Sequence, residues 1–544
     1  MTRLQLTVPT TAPVENPNVI TSPRQLAEWV EDLPYANPQV TAKMLLDSLQ
    51  QLVRQPGTLS QFHRLMINYL PPFRTLQNAV AKSAQRQHSV TGHRREAELA
   101  ELFEQINKEM AHGFKRAILD GNFAGSSRHS DKEVAETLYH AIECLSLDLV
   151  FSYSRYNQAS ANVWREILQI YLLAEHRGVS QTSVETIDCD DEVNTDIRLI
   201  FKRILLITLL DPYRLQQGDI WACFNYLACW AQHAQLSNFK ARQKASSCFL
   251  VDLQGAQKAI PYDPEEPPTE ASRFLMLDIY PLNKEINQQL KVMQNPPASP
   301  GVEKGGTTVS ENLMRTMLLA WYVKPKRRHQ REERYDWLVS AWGIAAIQHF
   351  LLEGKLVSAG KAHSELDPYD QETIEIGDVK QDPVTASRFD THRWRQVNMS
   401  DGGVGMVMNP ADACGLQVGQ IVLLESERMG GEGKSMVGIV RRLLQRDKST
   451  LEAGIQFVHG IIHPATIRPE VFGTEESADR QPALLLNTRA HPNVLLAPHL
   501  IYRKGRQYVV EDHAGRTMKV TADNLQESTL CFDRFEYTTI QLHG

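Results

Sequence analysis

The sequence predicts a multidomain α+β protein, with an all-α N-terminal domain followed by a C-terminal antiparallel β-barrel region. Three observations carry this. From Ser22 to about Ser237, apolar residues recur at three- and four-residue intervals, the spacing that gives a helix one buried stripe. Beyond Trp337, short branched and aromatic runs alternate with Gly, Asp and Asn turns, the texture of a barrel or sandwich. Between them, at about 294–309, lies a Pro- and Gly-rich linker, QNPPASPGVEKGGTTV.

Taken in order, residues 1–20 are polar and proline-bearing and read as a disordered leader. The helical domain, 21–245, opens with Ser22 as N-cap and Pro23 at the first helical position. Further helices are expected in VTAKMLLDSLQQLVRQ, FHRLMINYLPPFRTLQNAV, REAELAELFEQINKEMAHGFKRAIL, KEVAETLYHAIECLSLDLVFSYSRY, NVWREILQIYLLAEHRG, DIRLIFKRILLITLL and DIWACFNYLACWAQHAQL. The acidic run Asp188–Glu192 reads as charge favoured by the dipole at a helix N-terminus. Residues 246–293 form a small mixed segment whose runs CFLVDL and RFLMLDIYPL read as strands. The barrel region is expected over 310–470, with an insertion at about 344–390, and additional strands over 471–544.

Composition excludes several function classes. A formal charge of −6 over 544 residues gives no general nucleic-acid footprint, so any anion site must be a local patch. Seven scattered cysteines, with no CxxC pair and no histidines at zinc-ligand spacing, indicate buried thiols in a reducing compartment. With no signal-peptide core and no apolar run long enough to span a bilayer, a cytoplasmic protein is expected. The segment 430–436, GGEGKSM, lacks P-loop glycine spacing, and neither a GxSxG elbow nor an HExxH pattern occurs. No catalytic constellation or metal site emerges, and the protein reads as a non-enzyme needing no cofactor.

Two segments suit a guanine nucleotide. The basic run before the strand WLVSAW holds Arg327, Arg328 and Arg331, with Arg327 and Arg331 at RxxxR spacing. A guanidinium fork fits phosphate oxygens bidentately and pairs with guanine O6 and N7. The second segment, Asn398-Met399-Ser400-Asp401-Gly402-Gly403, is an NxSxxG at a strand end. Asparagine donates and accepts at a base edge, serine fixes a turn or meets a phosphate, and glycine admits close approach. Each segment alone has a plainer reading, as a solvated charged face and as a hairpin turn.

The stretch after Gly403 resembles the PilZ domain family. Leu416-Gln417-Val418-Gly419 precedes the strand QIVLL, MVGIVRR supplies Gly438, Arg441 and Arg442, and Gly454-Ile455-Gln456-Phe457 is similar to the family's closing GxxF strand. The resemblance covers about 326–343 and 391–460 and implies a PilZ-like barrel that binds cyclic di-GMP. It implies that Arg327 and Arg331 hold phosphate and guanine with Arg328 assisting, that Asn398 and Ser400 touch a guanine, and that Gly403 admits the ligand. Arg393 and Arg395 stand ready to substitute for the upstream arginines. The expected function is a cyclic di-GMP receptor that passes its signal to a protein partner through the helical domain. The alternative is a PilZ adaptor that has lost the nucleotide and serves as a protein scaffold.

Overall fold

The computed structural model describes residues 4–56, 62–85, 93–121, 123, 129–188, 191–242, 247–255, 258–294, 309–322, 331–353, 356, 389–413, 415–427, 435–470, 480–488 and 493–540. Arg327, Arg328, most of the linker and most of the polar insertion lie outside them. Two compact units divide the chain, 1–325 and 326–544.

In the first unit the helical periodicity folds as expected. The helices are α1 (Pro23–Glu31), α2 (Pro38–Arg54), α3 (Phe62–Asn68), α4 (Leu70–Gln85), α5 (His93–Asp120), α6 (Asp131–Ser154), α7 (Ala161–Arg177), α8 (Ile197–Leu209) and α9 (Asp219–Trp230). Pro23 does begin α1, though the Ser22 side chain makes no capping bond. Helix α6 is the axis of the core, buried on nearly every side from Val134 to Tyr153. Its start is fixed by a capping box in which Ser130 and Glu133 satisfy each other's backbone N–H groups.

Four expectations need correction. The leader is not loose over residues 4–20: Leu4, Leu6, Val19 and Ile20 pack against the helical core. Its backbone is tied down as well, Gln5 N donating to Gln169 Oε1 at 2.7 Å, Thr7 N to Glu166 Oε1 at 2.6 Å and Ala12 N to the Arg54 carbonyl at 2.7 Å. A polar sequence thus stays ordered because helix side chains and a helix-end carbonyl supply the acceptors its backbone needs. Second, the acidic run does not open a helix. It joins two antiparallel strands, β1 (Val184–Asp188) and β2 (Asp191–Thr195), and the cap of α8 is Asp196, which accepts from Leu199 N at 2.7 Å.

The mixed segment is a four-stranded sheet of β3 (Gln235–Asn238), β4 (Cys248–Asp252), β5 (Ile260–Pro261) and β6 (Phe274–Asp278), followed by α10 (Tyr280–Gln294). Third, helix α11 (Glu311–Tyr322), grouped with the barrel on sequence, belongs to the first unit: buried Trp321 donates from Nε1 to the Leu206 carbonyl at 3.3 Å.

The second unit holds two closed antiparallel barrels. The first contains β8 (Trp337–Trp342), β9 (His392–Ser400), β10 (Gly403–Met408), β11 (Ile421–Ser426), β12 (Met436–Gln445) and β13 (Leu451–Phe457), closing in the order β8-β9-β10-β13-β12-β11 and back to β8. Period-two burial along β10 and β13 turns Val404, Met406, Ala453 and Ile455 inward and leaves their neighbours on the outer wall. A short strand, β7 (Glu332–Glu333), extends the line of β8 along the end of β9. Between β8 and β9 stands α12 (Ile344–Glu353).

The fourth correction concerns the barrel boundary. The first barrel region is expected to reach residue 470, yet β14 (Ile461–Pro469) starts the second barrel. It closes with β15 (Gln481–Asn487), β16 (Val494–Pro498), β17 (Gln507–Asp512), β18 (Thr517–Ser528) and β19 (Phe532–Thr539). The barrels share one apolar seam: Val339, Ala341, Ile421, Leu423, Val437 and Ile439 meet Leu484, Leu486, Val494, Leu496 and Phe532, with Ile347 and Phe350 of α12 packed among them. Gln348 of α12 donates to the Ala465 and Ala483 carbonyls of the second barrel.

The helical core also encloses charge. Arg74 pairs with fully buried Glu143, which also meets His140 Nδ1 at 3.0 Å. Burial alone would raise the Glu143 carboxyl, but Arg74 and His140 outweigh it and hold it at about 2. Nearby, His63 meets the Thr137 hydroxyl at 2.6 Å, and burial pushes its imidazole down to about 4 against the opposing pull of Glu133. The unfolded chain then binds a proton near pH 6.5 that the folded one refuses until about pH 4, so His63 stabilises nothing extra above 6.5 and costs stability as pH falls between the two. We predict that His63→Gln flattens the loss of thermal stability between pH 6.5 and 4 by roughly 3 kcal/mol at its largest, read from melts of the full chain. An unchanged pH profile would show that His63 is not the titrating group.

Candidate functional site

Strand β9 organises the site because it pairs along both edges. On one side, Asn398 lies opposite Gly405 and Ser400 opposite Gly403 in β10. On the other, Glu332 and Glu333 of β7 lie opposite Met399 and Asn398. Continued by one residue, that register sets Arg331 opposite Ser400. The strand that follows the basic run therefore pairs beside the NxSxxG turn. Arg331 is exposed and, among the described residues, has no ion-pair partner.

The outer wall beside this turn is nearly free of side chains. Gly405 lies opposite Gly454, and Gly454 opposite Arg442 of β12. Gly403 lies opposite Gln456, so one row runs Ser400, Gly403, Gln456 and a second runs Asn398, Gly405, Gly454, Arg442. Glycines floor the strip, while hydrogen-bonding groups rim it. At adjacent-strand spacings of about 4.8 Å, the floor is roughly 10 Å across.

The two glycines of β10 serve different ends. A Cβ on Gly403 would stand 2.1 Å from the Ile455 carbonyl oxygen, so the barrel's own strand packing demands glycine there. The role expected for Gly403, admitting a ligand, is thus joined by a structural one. A Cβ on Gly405 would meet the Asn398 amide at 2.9–3.1 Å. Gly405 is what lets Asn398 lie across β10. Neither Gly405 nor Gln456 was singled out as a site residue from sequence, although alternate glycines in GVGMVM were a readable sign of a bare outer face.

Bulges aim the polar groups. The β9–β10 register slips at Val397, just before Asn398, and the β12–β13 register slips at Arg441. An extra residue in one strand twists it and redirects the adjoining side chain. Ser400 Oγ donates to the Gly403 carbonyl at 3.4 Å, closing the turn. Arg441 Nε donates to Gln456 Oε1 at 2.8 Å. Of the two substitute arginines, Arg393 is already engaged, bidentate to Glu427 and lying 4.1 Å over the Trp337 ring. Arg395 is exposed with no ion pair among the described residues. Among the described residues no cluster of His, Cys, Asp and Glu could hold a metal ion, and no helix is long and apolar enough to cross a membrane.

The first barrel is thus a closed six-stranded antiparallel barrel whose outer wall carries a glycine-floored strip beside an Asn–Ser turn. Residues 24–243 match the family model described as cyclic-di-GMP receptor FimW, N-terminal domain, and residues 470–540 match the FimW C-terminal beta-barrel domain. The two matches fall in chain order, with the first barrel between them. The chain is also similar to the cyclic-di-GMP receptor FimW of Pseudomonas aeruginosa, 22% identical over a 589-residue alignment covering 99% of this chain and 94% of that protein.

The glycine geometry makes a paired prediction. Gly403→Ala is expected to cost about 2 kcal/mol or more of stability, because backbone must move. Gly405→Ala is expected to cost under about 1 kcal/mol, because the obstructed atoms belong to a side chain that can swing away. Chemical denaturation of both variants checks this, and equal losses would refute the assignment.

Proposed function

We propose that this chain is a cyclic di-GMP receptor whose ligand lies on the strip between β9 and β12, and that the site passes its state to a protein partner through the helical domain. The single observation that carries the reading is the β7–β9 register, which pairs the two residues directly after Arg331 with Met399 and Asn398. The similarity to a cyclic-di-GMP receptor along nearly the whole chain supports it.

The chemistry is local. The ligand brings two phosphodiester charges and two guanines. Arg331 and Arg327 take phosphate oxygens or a guanine Hoogsteen edge with their planar forks, and Arg328 assists. Asn398, whose amide lies over Gly405, offers both donor and acceptor to a base edge. Ser400 keeps the turn closed, so the backbone beside Gly403 stays open to the ligand. The free thiols Cys144, Cys223, Cys248 and Cys531 fit a cytoplasmic setting for such a receptor.

Titration calorimetry with cyclic di-GMP tests this. Wild-type protein is expected to bind, and Arg327→Ala, Arg331→Ala and Asn398→Ala each to weaken binding at least about tenfold, since a charge-assisted contact contributes about 1.5–3 kcal/mol. Unchanged affinity in all three variants would remove the strip from the binding site. A wild-type protein that gives no heat would return the chain to the adaptor reading.

A further inference from the structure

The row Ser400, Gly403, Gln456 does not stop at Gln456. Arg441, whose Nε holds Gln456 at 2.8 Å, reaches out of the first barrel and forms a bidentate pair with Glu527 of β18 in the second, Nη2 to Oε2 at 3.0 Å. Glu527 in turn lies opposite Arg534 of β19. Arg534 Nε is buried and has no hydrogen-bond partner. One carboxylate therefore pairs with a guanidinium of the first barrel and lies across the strand from a second in its own barrel, whose Nε is unpartnered. Burial holds the Arg534 guanidinium below its ordinary value, with Glu527 opposing and Arg441 reinforcing that shift, as expected for two cations near a single anion.

Both partners sit where the strands can yield. Arg441 is the extra residue of the β12 bulge, and the β18–β19 register slips on either side of Leu525, immediately before Glu527. The seam around them is held separately, by Thr529 Oγ1 donating to the Gly419 carbonyl at 3.2 Å and Cys531 Sγ to Gln420 Oε1 at 2.9 Å. Neither of these bonds involves Glu527.

We propose that Arg441 is a further ligand-contacting residue of the strip, that Glu527 is its exchangeable counterion, and that an anionic ligand taking Arg441 hands Glu527 to Arg534, so that the second barrel registers occupancy of the first. This rests on the proposed cyclic di-GMP site and adds to it a competitor and a relay. A carboxylate within reach of two cations is a two-position element, and a ligand that pairs with one cation favours one position by its differential affinity.

The test is calorimetry with cyclic di-GMP, joined to hydrogen exchange of residues 517–539 with and without ligand, on full-length protein. Glu527→Gln removes the competitor and is expected to tighten binding about tenfold while abolishing the ligand-dependent exchange change in β18 and β19. Arg441→Gln is expected to weaken binding about tenfold. Arg534→Gln, which removes the receiving cation and lies in the other barrel, is expected to weaken it several-fold. Should Glu527→Gln melt early, Glu527→Asp, with its shorter reach to Arg441, is expected to tighten binding by a smaller factor. A wild-type protein that binds and responds to Arg331→Ala, with Glu527→Gln within twofold of wild type, overturns this inference alone. A wild-type protein that binds nothing overturns it together with the proposed function.

Discussion

Everything distinctive about the first barrel depends on β9 finding partners on both edges. Pairing with β10 closes the first barrel, and pairing with the β7–β8 line fixes the chain that enters it. Because side chains alternate with period two, this one register also decides which residues look outward. Slipped by one residue, Asn398 and Ser400 would turn toward the interior and Val397 and Met399 toward solvent. The bulge at Val397 is where the strand adjusts that alternation, between buried Gln396 and the outward Asn398.

Packing then divides the first barrel's wall into two halves. The half made by β8, β11 and β12 is apolar and covered by α12 and the second barrel. The half made by β9, β10 and β13 carries glycines and polar groups and stays open. Arg441 stands on the border between them, which is why it can face both a candidate ligand surface and a neighbouring barrel. The second barrel therefore shields one wall from solvent and supplies a charged group to the margin of the other.

Much of this was legible in the sequence. Three- and four-residue spacing located α1 to α9 but not α10, and short runs between turns located the strands of the first barrel better than those of the second, where β14, β16 and β19 went unread. What escaped did so for physical reasons. The leader has no periodicity of its own, since its order comes from acceptors on α2 and α7. The β1–β2 hairpin carries charges where a strand signal wants alternation, and an acidic run before a helix has a ready competing explanation. Membership of β14 in one barrel or the other is a long-range pairing that local pattern cannot encode. The Asn–Ser turn and the upstream arginines were readable as motifs, but Gly405 and Gln456 acquire meaning only across strands, once Asn398 and Arg441 are set beside them.

The placement of β14 has one more consequence. Strand β13 ends at Phe457 and β14 begins at Ile461, so three residues join the two barrels. At about 3.3 Å per extended residue, that leash allows neither barrel to swing away from the other. Whatever passes between them must travel as sliding or re-pairing of side chains across a fixed joint, and a protein cut at residue 470 would keep an orphan strand on one fragment and leave an unclosed sheet on the other.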